Sequence, residues 1–535
     1  MKHRKILALL LVMCMLIAFA ACESKVNDDD EPTSKASGSD TSKDASNGIL
    51  DGLFGDDSSS DESQGGFFDN LFGDDSSDAS DTSDTSDSSG VSDDDIFEDL
   101  GPVPSGVGNN EREFTMLIVS DELQATYYCD DVVPNLYKNT DADFNQAVSD
   151  RNEAILDKYN IRIKAYPAKS IVTPLRNDVM AGTGDFDAVM MFAYEGAMLA
   201  SEGVLCDLSY FLELDEAWWD QSANETLSIA GHQYFAIGDI STMPKKVTSA
   251  VFFNKNMMSK AFPDFDIYSC VRDSKWTLDK MIEMSRAVTA DTDGVSGLTK
   301  DDTWGTVGSY SDASLFFSAS GGDLFVKTDD DIPLFSADDL DKADTVLNKI
   351  LDGDQWMIMA QDIGGYDMWT DSLEIFTSDR ALFRTSALVT AEVMREYDCE
   401  YGIVPIPKLD INQENYHSAI SGSYANCVGI SVSANDPVFS AFVINAMGCG
   451  ARHYITPAYY DMVAKGLDED TREMLDIVFY GANYDVNEVY RFGSLAGNNL
   501  FLNSIMQKKN SFRRDLEAVA PMIENAIDEY VEMLG

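Results

Sequence analysis

Hydrophobic and polar positions follow two different regimes that meet near residue 110. Beyond it the pattern is that of a folded α/β protein. Phe114 to Val119 is a short apolar run of strand type. Val148, Ile155, Leu156 and Tyr159 then share one face of a helix, and Ile161-Arg162-Ile163-Lys164-Ala165-Tyr166 alternates as a strand does. Val172, Leu175 and Val179 predict a second helix, closed by Gly182 and Gly184. Phe186 to Met191 reads as a third strand and Gly196 to Glu202 as a third helix ended by Gly203. Strands alternating with helices predict a parallel sheet covered on both faces, with ligands bound beyond the carboxyl ends of its strands. Further on, Thr277 is the expected N-cap of a helix whose apolar positions are Leu278, Met281, Ile282 and Val288. The last helix carries Leu516, Val519, Ile523, Ile527, Tyr530 and Leu534 on one stripe, with Pro521 marking a kink or a second start.

Before residue 110 no such pattern exists. Lys2, Arg4 and Lys5 precede an apolar stretch from Ile6 to Ala20, too short for a membrane span and suited to a secretory signal. Residues 1–21 are therefore expected to be removed. The stretch ends Ala18-Phe19-Ala20-Ala21-Cys22, which is similar to the lipobox of bacterial lipoproteins and implies acylation of Cys22, with palmitate among the acyl chains. Residues 22–110 are rich in Ser, Asp and Gly. From Glu23 to Asn110 there are 24 acidic residues against three lysines. Such a segment cannot bury enough apolar surface to offset its chain entropy, so a disordered tether spanning about 50 Å is expected. Within it Leu53-Phe54-Gly55-Asp56-Asp57-Ser58-Ser59 recurs at Leu71-Phe72-Gly73-Asp74-Asp75-Ser76-Ser77, with an echo at Ile96-Phe97-Glu98-Asp99-Leu100. The repeat is either a docking motif or a low-complexity duplication.

Composition narrows the function. The 535 residues carry 38 Lys and Arg against 93 Asp and Glu, a formal net charge of −55. Phosphate neutralisation needs a basic face, so a nucleic-acid partner is excluded, and so is docking on anionic lipid through a polybasic patch. The tether holds −21 of the charge and the region from 111 onward −37. No two of His232, His417 and His453 lie within metal-ligand spacing, and no HExxH, GxSxG, Walker or dinucleotide fingerprint occurs. No metal, cofactor or catalytic residue is assigned. Asp291-Thr292-Asp293-Gly294 starts like a calcium loop, but Lys300 stands where the glutamate belongs, so a turn is expected. Cys129, Cys206, Cys270, Cys399, Cys427 and Cys449 form no CxxC pair and read as isolated thiols, although their even number permits disulfides.

Several blocks resemble the extracellular sugar-binding proteins of ABC importers, the family that includes maltodextrin-binding proteins. Gly184-Asp185-Phe186-Asp187-Ala188-Val189 followed by Leu199-Ala200-Ser201-Glu202-Gly203-Val204-Leu205-Cys206-Asp207-Leu208 is similar to that family's GDxPDV…LAxxGxLxDL block, with Phe186 in place of proline. Ser249 to Lys255 resembles its lyYNk strand, Trp276-Thr277-Leu278-Asp279 its tWde helix start, and Tyr401 to Pro407 its ygvaPlP segment. Val428-Gly429-Ile430-Ser431 resembles the strand that re-enters the first lobe.

The resemblance implies a two-lobed periplasmic-binding-protein-like fold of type II, each lobe a parallel-rich sheet flanked by helices, with a hinge between the lobes. Lobe I would comprise 111–240 and 403–460, and lobe II 241–402 and 461–535. Ligand contacts would come from Asp121, Tyr194 and Glu195 in the first lobe. Tyr310, Ser311, Asp312, Arg384, Thr385 and Ser386 would supply them in the second, and Tyr424 and Asn426 beside the returning strand. Trp304 and Trp369, in loop-like contexts, are either stacking platforms or packing residues, and Trp218 and Trp219 stand at what reads as a helix start. The function implied is capture of a carbohydrate or other small polar ligand and its delivery to ABC permease subunits, by a non-enzymatic monomer anchored at the extracytoplasmic face of the membrane. A sensing receptor of the same fold, a peptide binder and a secreted carbohydrate-active enzyme are the alternatives.

Overall fold

Alternation along single strands sets the architecture. In β1 (Arg112–Val119), Phe114, Met116 and Ile118 enter one hydrophobic core while Leu117 and Val119 enter another. Both faces are thus buried, which is why this strand reads as a continuous apolar run rather than as alternation. The computed structural model describes residues 96–100, 111–119, 127–135, 141–363, 368–494 and 498–534. The acylation expected at Cys22 and the ligand contact expected at Asp121 lie outside these residues.

The helix α1 (Ala142–Tyr159) leads into β2 (Ile161–Ala168), and α2 (Val172–Ala181) into β3 (Ala188–Phe192), which runs directly into α3 (Ala193–Ser201). Turn chemistry enforces these reversals. Asn160 closes α1 in the left-handed conformation, and Gly182, at φ 62°, closes α2 as expected. The first sheet has the order β12-β3-β1-β2, where β12 is Asn426–Gly429, β1 is parallel to both β2 and β3, and β12 is antiparallel to β3.

The second sheet has the order β10-β4-β9-β5-β8, from Tyr401–Val404, Ser249–Asn254, Ala381–Ala387, Trp304–Gly308 and Met357–Met359. Strand β5 runs parallel to β8 and β9, and β4 antiparallel to β9 and β10. It too is covered twice: Ala250 and Phe252 of β4 point into one core, Val251 and Phe253 into another. Thr277 caps α4 (Leu278–Val288), its side chain accepting from the Lys280 N–H at 3.3 Å. A hairpin of β6 (Phe325–Lys327) and β7 (Pro333–Phe335) stands apart, and β11 (Ser418–Ala419) pairs in parallel with β13 (Ala482–Asn483).

Two boundaries of the expected lobes are corrected, and the tryptophans prove to be packing residues. Tyr401–Val404 belongs to the second sheet, paired with β4, so the chain returns to the first sheet at Asn426 rather than at 403. Residues 482–490, grouped with the second lobe, place Tyr484 and Val489 in a core of the first. Trp304 lies on β5 and is buried, and Trp369 begins a helix and packs on a core, so neither is a loop platform. Trp218 and Trp219 start no helix; they are buried with both indole N–H groups donating to Asn445 Oδ1. The described cysteines are free thiols.

Two helices tie the lobes together. Phe144, Ala147 and Val148 of α1 join a core of the second sheet, while Ala154, Ile155 and Tyr159 of the same helix join one of the first. The helix α6 (Pro437–Ala464) does the same in reverse, with Phe439 to Cys449 in the first lobe and Ile455 to Ala464 in the second. Between them lies a buried ionic knot. Lys246 Nζ stands 3.1 Å from Asp130 and 3.9 Å from Glu392, above the rings of Phe144 and Tyr459. Burial opposes its charge, but the carboxylates of Asp130 and Glu392 outweigh that and hold the ammonium well above its ordinary pKa. Asp131 accepts from the Ser241 and Thr242 hydroxyls at 2.9 and 2.7 Å, and its carbonyl accepts from Arg151 at 2.7 Å. Removing Lys246 leaves Asp130 buried without its ion-pair partner, which costs about 3–5 kcal/mol. Lys246→Met is therefore expected to lower the unfolding free energy by about that much in urea titrations at pH 7; a loss below about 1 kcal/mol would show that the knot contributes little.

Candidate functional site

The carboxyl end of β3 builds the first wall. Phe192 ends the strand, and the chain turns at once into α3, so Tyr194 and Glu195 stand on its first turn. The Tyr194 ring lies nearly parallel to Phe192, with centroids 6.2 Å apart. Tyr424, two residues before β12, presents its face edgewise to Phe192 at 6.0 Å and stacks on Tyr127 at 4.1 Å and 17°. Asn426 is buried in β12 opposite Phe192. The structure thus brings Tyr194, Glu195, Tyr424 and Asn426 together, and adds Tyr127.

A segment from far along the chain completes this wall. After the short helix α7 (Val486–Tyr490), Arg491 takes a left-handed backbone at φ 50°, uncommon for a side chain of this size, and its guanidinium lies 4.0 Å above the Tyr194 ring. Arg491 also donates to Ser423 Oγ at 3.1 Å, while Glu488 Oε1 accepts from the hydroxyls of Ser421 and Ser423 at 3.0 and 3.2 Å. The sequence reading assigned none of these residues. The aromatic density of Tyr484, Tyr490 and Phe492 around one arginine was the available signal.

The second wall forms at the carboxyl ends of three parallel strands. Ser309 to Asp312 follow β5 into α5 (Asp312–Ala319), Gln361 and Asp362 follow β8, and Thr385 and Ser386 end β9. Tyr310 donates its hydroxyl to Asp362 at 2.5 Å, and its N–H donates to Gln361 Oε1 at 3.1 Å. Ser311 pairs with Ser309 through their hydroxyls at 2.6 Å. Asp312 is buried, accepting from Ser309 Oγ at 3.1 Å and from the Thr385 hydroxyl. Burial pushes its carboxyl up to about 7 against those hydrogen bonds and the charge of Arg384. Ser386 pairs with Thr390 at 2.6 Å. Arg384 is the outlier of the expected set. It neighbours Thr385 on a strand, so it faces the other way, and its guanidinium donates to Ser372 at 3.0 Å inside the fold.

Both walls run into one hinge. Thr248 bridges Ile420, the Ser421 N–H reaches the Val247 carbonyl at 3.4 Å, and the Leu388 N–H reaches the Thr248 carbonyl at 2.9 Å. Tyr424 follows Ser421 by three residues and Ser386 precedes Leu388 by two. In the Asp291 loop the Asp302 carboxylate accepts the N–H groups of Thr292, Asp293 and Thr299 at 2.5, 2.9 and 2.7 Å, which draws its pKa down to about 2, and carboxylate oxygens of Asp291, Asp293 and Asp302 lie within 4.8 Å of one another. Among the described residues no helix is long and apolar enough to cross a membrane.

Two lobes, each with strand-end loops opening on a shared hinge, define a solute-binding fold. The sequence model of the bacterial extracellular solute-binding proteins matches residues 141–441, and the chain belongs to that family. Among solved structures, a cyclo/maltodextrin-binding protein complexed with maltotetraose is similar at 13% identity, over 80% of this chain and 97% of that one, with a TM-score of 0.50. A sugar transporter from Rhizobium etli in an open conformation is similar at 13% identity, over 79% and 98%, also at 0.50. At such identities the likeness is one of fold. No curated protein sequence matches the chain.

Glu195 gives this site a measurable pH signature. Its side chain accepts the Phe192 N–H at 3.2 Å, and burial raises its pKa to about 7 despite that bond and the charge of Arg491. The unfolded chain ionises near the ordinary 4.5. Between those values the folded state holds a proton that the unfolded state has released, so stability falls as pH rises through the window and levels off above it. Glu195→Gln is expected to match the parent at pH 4.5 and to exceed it at pH 8 by about 1–3 kcal/mol in urea denaturation. Equal stability at both pH values would place the carboxylate in water.

Proposed function

We propose that the protein captures an oligosaccharide or a related polar solute in the cleft between the two walls and passes it to an ABC permease. The observation that carries this reading is the set of aromatic faces on the first wall, Tyr127, Phe192, Tyr194 and Tyr424, set against the hydroxyl and carboxylate groups of Tyr310, Ser311, Asp312, Asp362, Thr385 and Ser386. Sugar rings have apolar CH faces that favour aromatic platforms and hydroxyl edges that need hydrogen-bond partners, and a cleft offering both suits them. A maltotetraose-bound structure of the same fold supports the class of ligand.

Closure of the lobes about Val247–Thr248 and Ile420–Ser421 would sandwich the solute. In this reading lobe I is built on the first sheet and lobe II on the second, Cys22 carries the lipid anchor, and the acidic segment between Cys22 and Ile96 spaces the binding domain from the extracytoplasmic face of the membrane. A protein that releases its cargo to a permease has no need of catalytic groups. Calorimetry against linear and cyclic glucans, other oligosaccharides and peptides tests the reading. Saturable binding of at least one glycan is expected, with Tyr194→Ala and Tyr424→Ala each weakening it about tenfold or more. Binding of a peptide alone would move the assignment to another solute, and glycan binding indifferent to both substitutions would place the ligand elsewhere.

A further inference from the structure

Among the described residues, the tether repeat meets the folded domain at Ile96 and Phe97. Ile96 and Phe97, from its third copy, are buried in a core of the first lobe, although described chain breaks off on either side of residues 96–100. Phe97 meets Tyr159 edge-on at 5.7 Å, and Lys158 Nζ lies 5.5 Å from its ring centre. The Cys449 thiol donates to the Ile96 carbonyl at 3.1 Å. Gly450 makes the slot possible: a Cβ there would lie 3.3 Å from the Phe97 ring and 2.8 Å from the Arg151 side chain.

Aligned on this slot, the three copies share more than the aromatic residue. Asp51, Leu53, Phe54 and Asp56 fall at the same spacing as Asp69, Leu71, Phe72 and Asp74, and as Asp94, Ile96, Phe97 and Asp99. Each is Asp-x-(Leu/Ile)-Phe-x-Asp. Leu for Ile conserves volume, the kind of core exchange that folds tolerate best. We propose that the slot between Tyr159 and Gly450 is a receptor for this motif, and that the copies at Leu53-Phe54 and Leu71-Phe72 are alternative occupants that exchange in cis with Ile96-Phe97.

Reach permits the exchange. The Ser, Asp and Gly composition of the 25 residues from Phe72 to Phe97 gives an expected mean span of about 25–30 Å, which would hold the second copy near the slot at an effective concentration in the millimolar range. One consequence rests on the anchoring of Cys22 proposed above. The chain from anchor to slot would be 75, 50 or 32 residues long according to which copy docks, giving mean spans of roughly 48, 39 and 31 Å.

Amide hydrogen exchange on the full chain tests the proposal without reference to acylation. In the parent, residues 96–100 should exchange more slowly than 53–57 and 71–75. In Phe97→Ala, one upstream copy should slow about tenfold, and adding Phe54→Ala and Phe72→Ala should abolish that gain. Upstream copies that still exchange at the free-chain rate, in a Phe97→Ala chain whose α1 and α6 remain protected, overturn the proposal. Should Phe97→Ala fail to fold, a peptide of residues 69–75 added at millimolar concentration to the parent provides the second measurement. It should speed exchange at 96–100 several-fold, and its Phe72→Ala form should not; no acceleration by the parent peptide overturns the proposal equally.

Discussion

One buried ammonium holds the two halves of this protein in register. Lys246 immediately precedes the crossing at Val247–Thr248, and the groups around it come from both lobes: Asp130 from the first, Glu392 from the second, and Phe144 and Tyr459 from the helices that run through each. Such a pair gains little over a well-packed apolar substitute, since desolvation offsets most of the attraction. What it supplies is position. A point charge in a low-dielectric site tolerates little displacement of its partners, and of these Asp130 follows Tyr127 by three residues and Glu392 follows Ser386 by six. The crossover strand Val247–Thr248 follows it directly.

The site itself is assembled from distant pieces for a related reason. Strand ends converge because parallel pairing puts the carboxyl ends of β1 and β3, and of β5, β8 and β9, on one side of each sheet. Each wall then combines groups of different chemistry. Aromatic faces dominate the first, where Arg491 closes over Tyr194 from the far end of the chain. Hydroxyls and carboxylates dominate the second, already hydrogen-bonded to one another, so they are oriented before any ligand arrives. Preorganisation of this kind reduces the entropy lost on binding.

Much of the first lobe was legible in the sequence because local rules govern it. Its three strands and the glycine that closes α2, like the Thr277 cap in the second lobe, follow from periodicity and capping chemistry. Tyr194 and Glu195 were expected at the cleft edge from the resemblance, whose blocks at Gly184 to Val189 and Leu199 to Leu208 flank them. The reading failed where side chains depend on non-local partners. Arg384 looked like a ligand contact by its neighbourhood, yet strand alternation turns it toward Ser372. Tyr127 declares itself only by stacking on Tyr424, and Glu488 and Arg491 only once the C-terminal segment returns to the first lobe. Helix α1 starts earlier than its apolar stripe indicated, because Phe144 serves a different core from Ile155 and the two stripes do not coincide.

That division of α1 between cores also bears on how the molecule comes apart. Each of α1 and α6 lends about half of its apolar surface to either lobe. Neither lobe can therefore melt while the other keeps both helices packed, and a cut between the sheets would leave each fragment with a raw hydrophobic edge. The lobes are therefore not autonomous folding units, and α1 and α6, shared by both, make cooperative unfolding of the whole the expected behaviour.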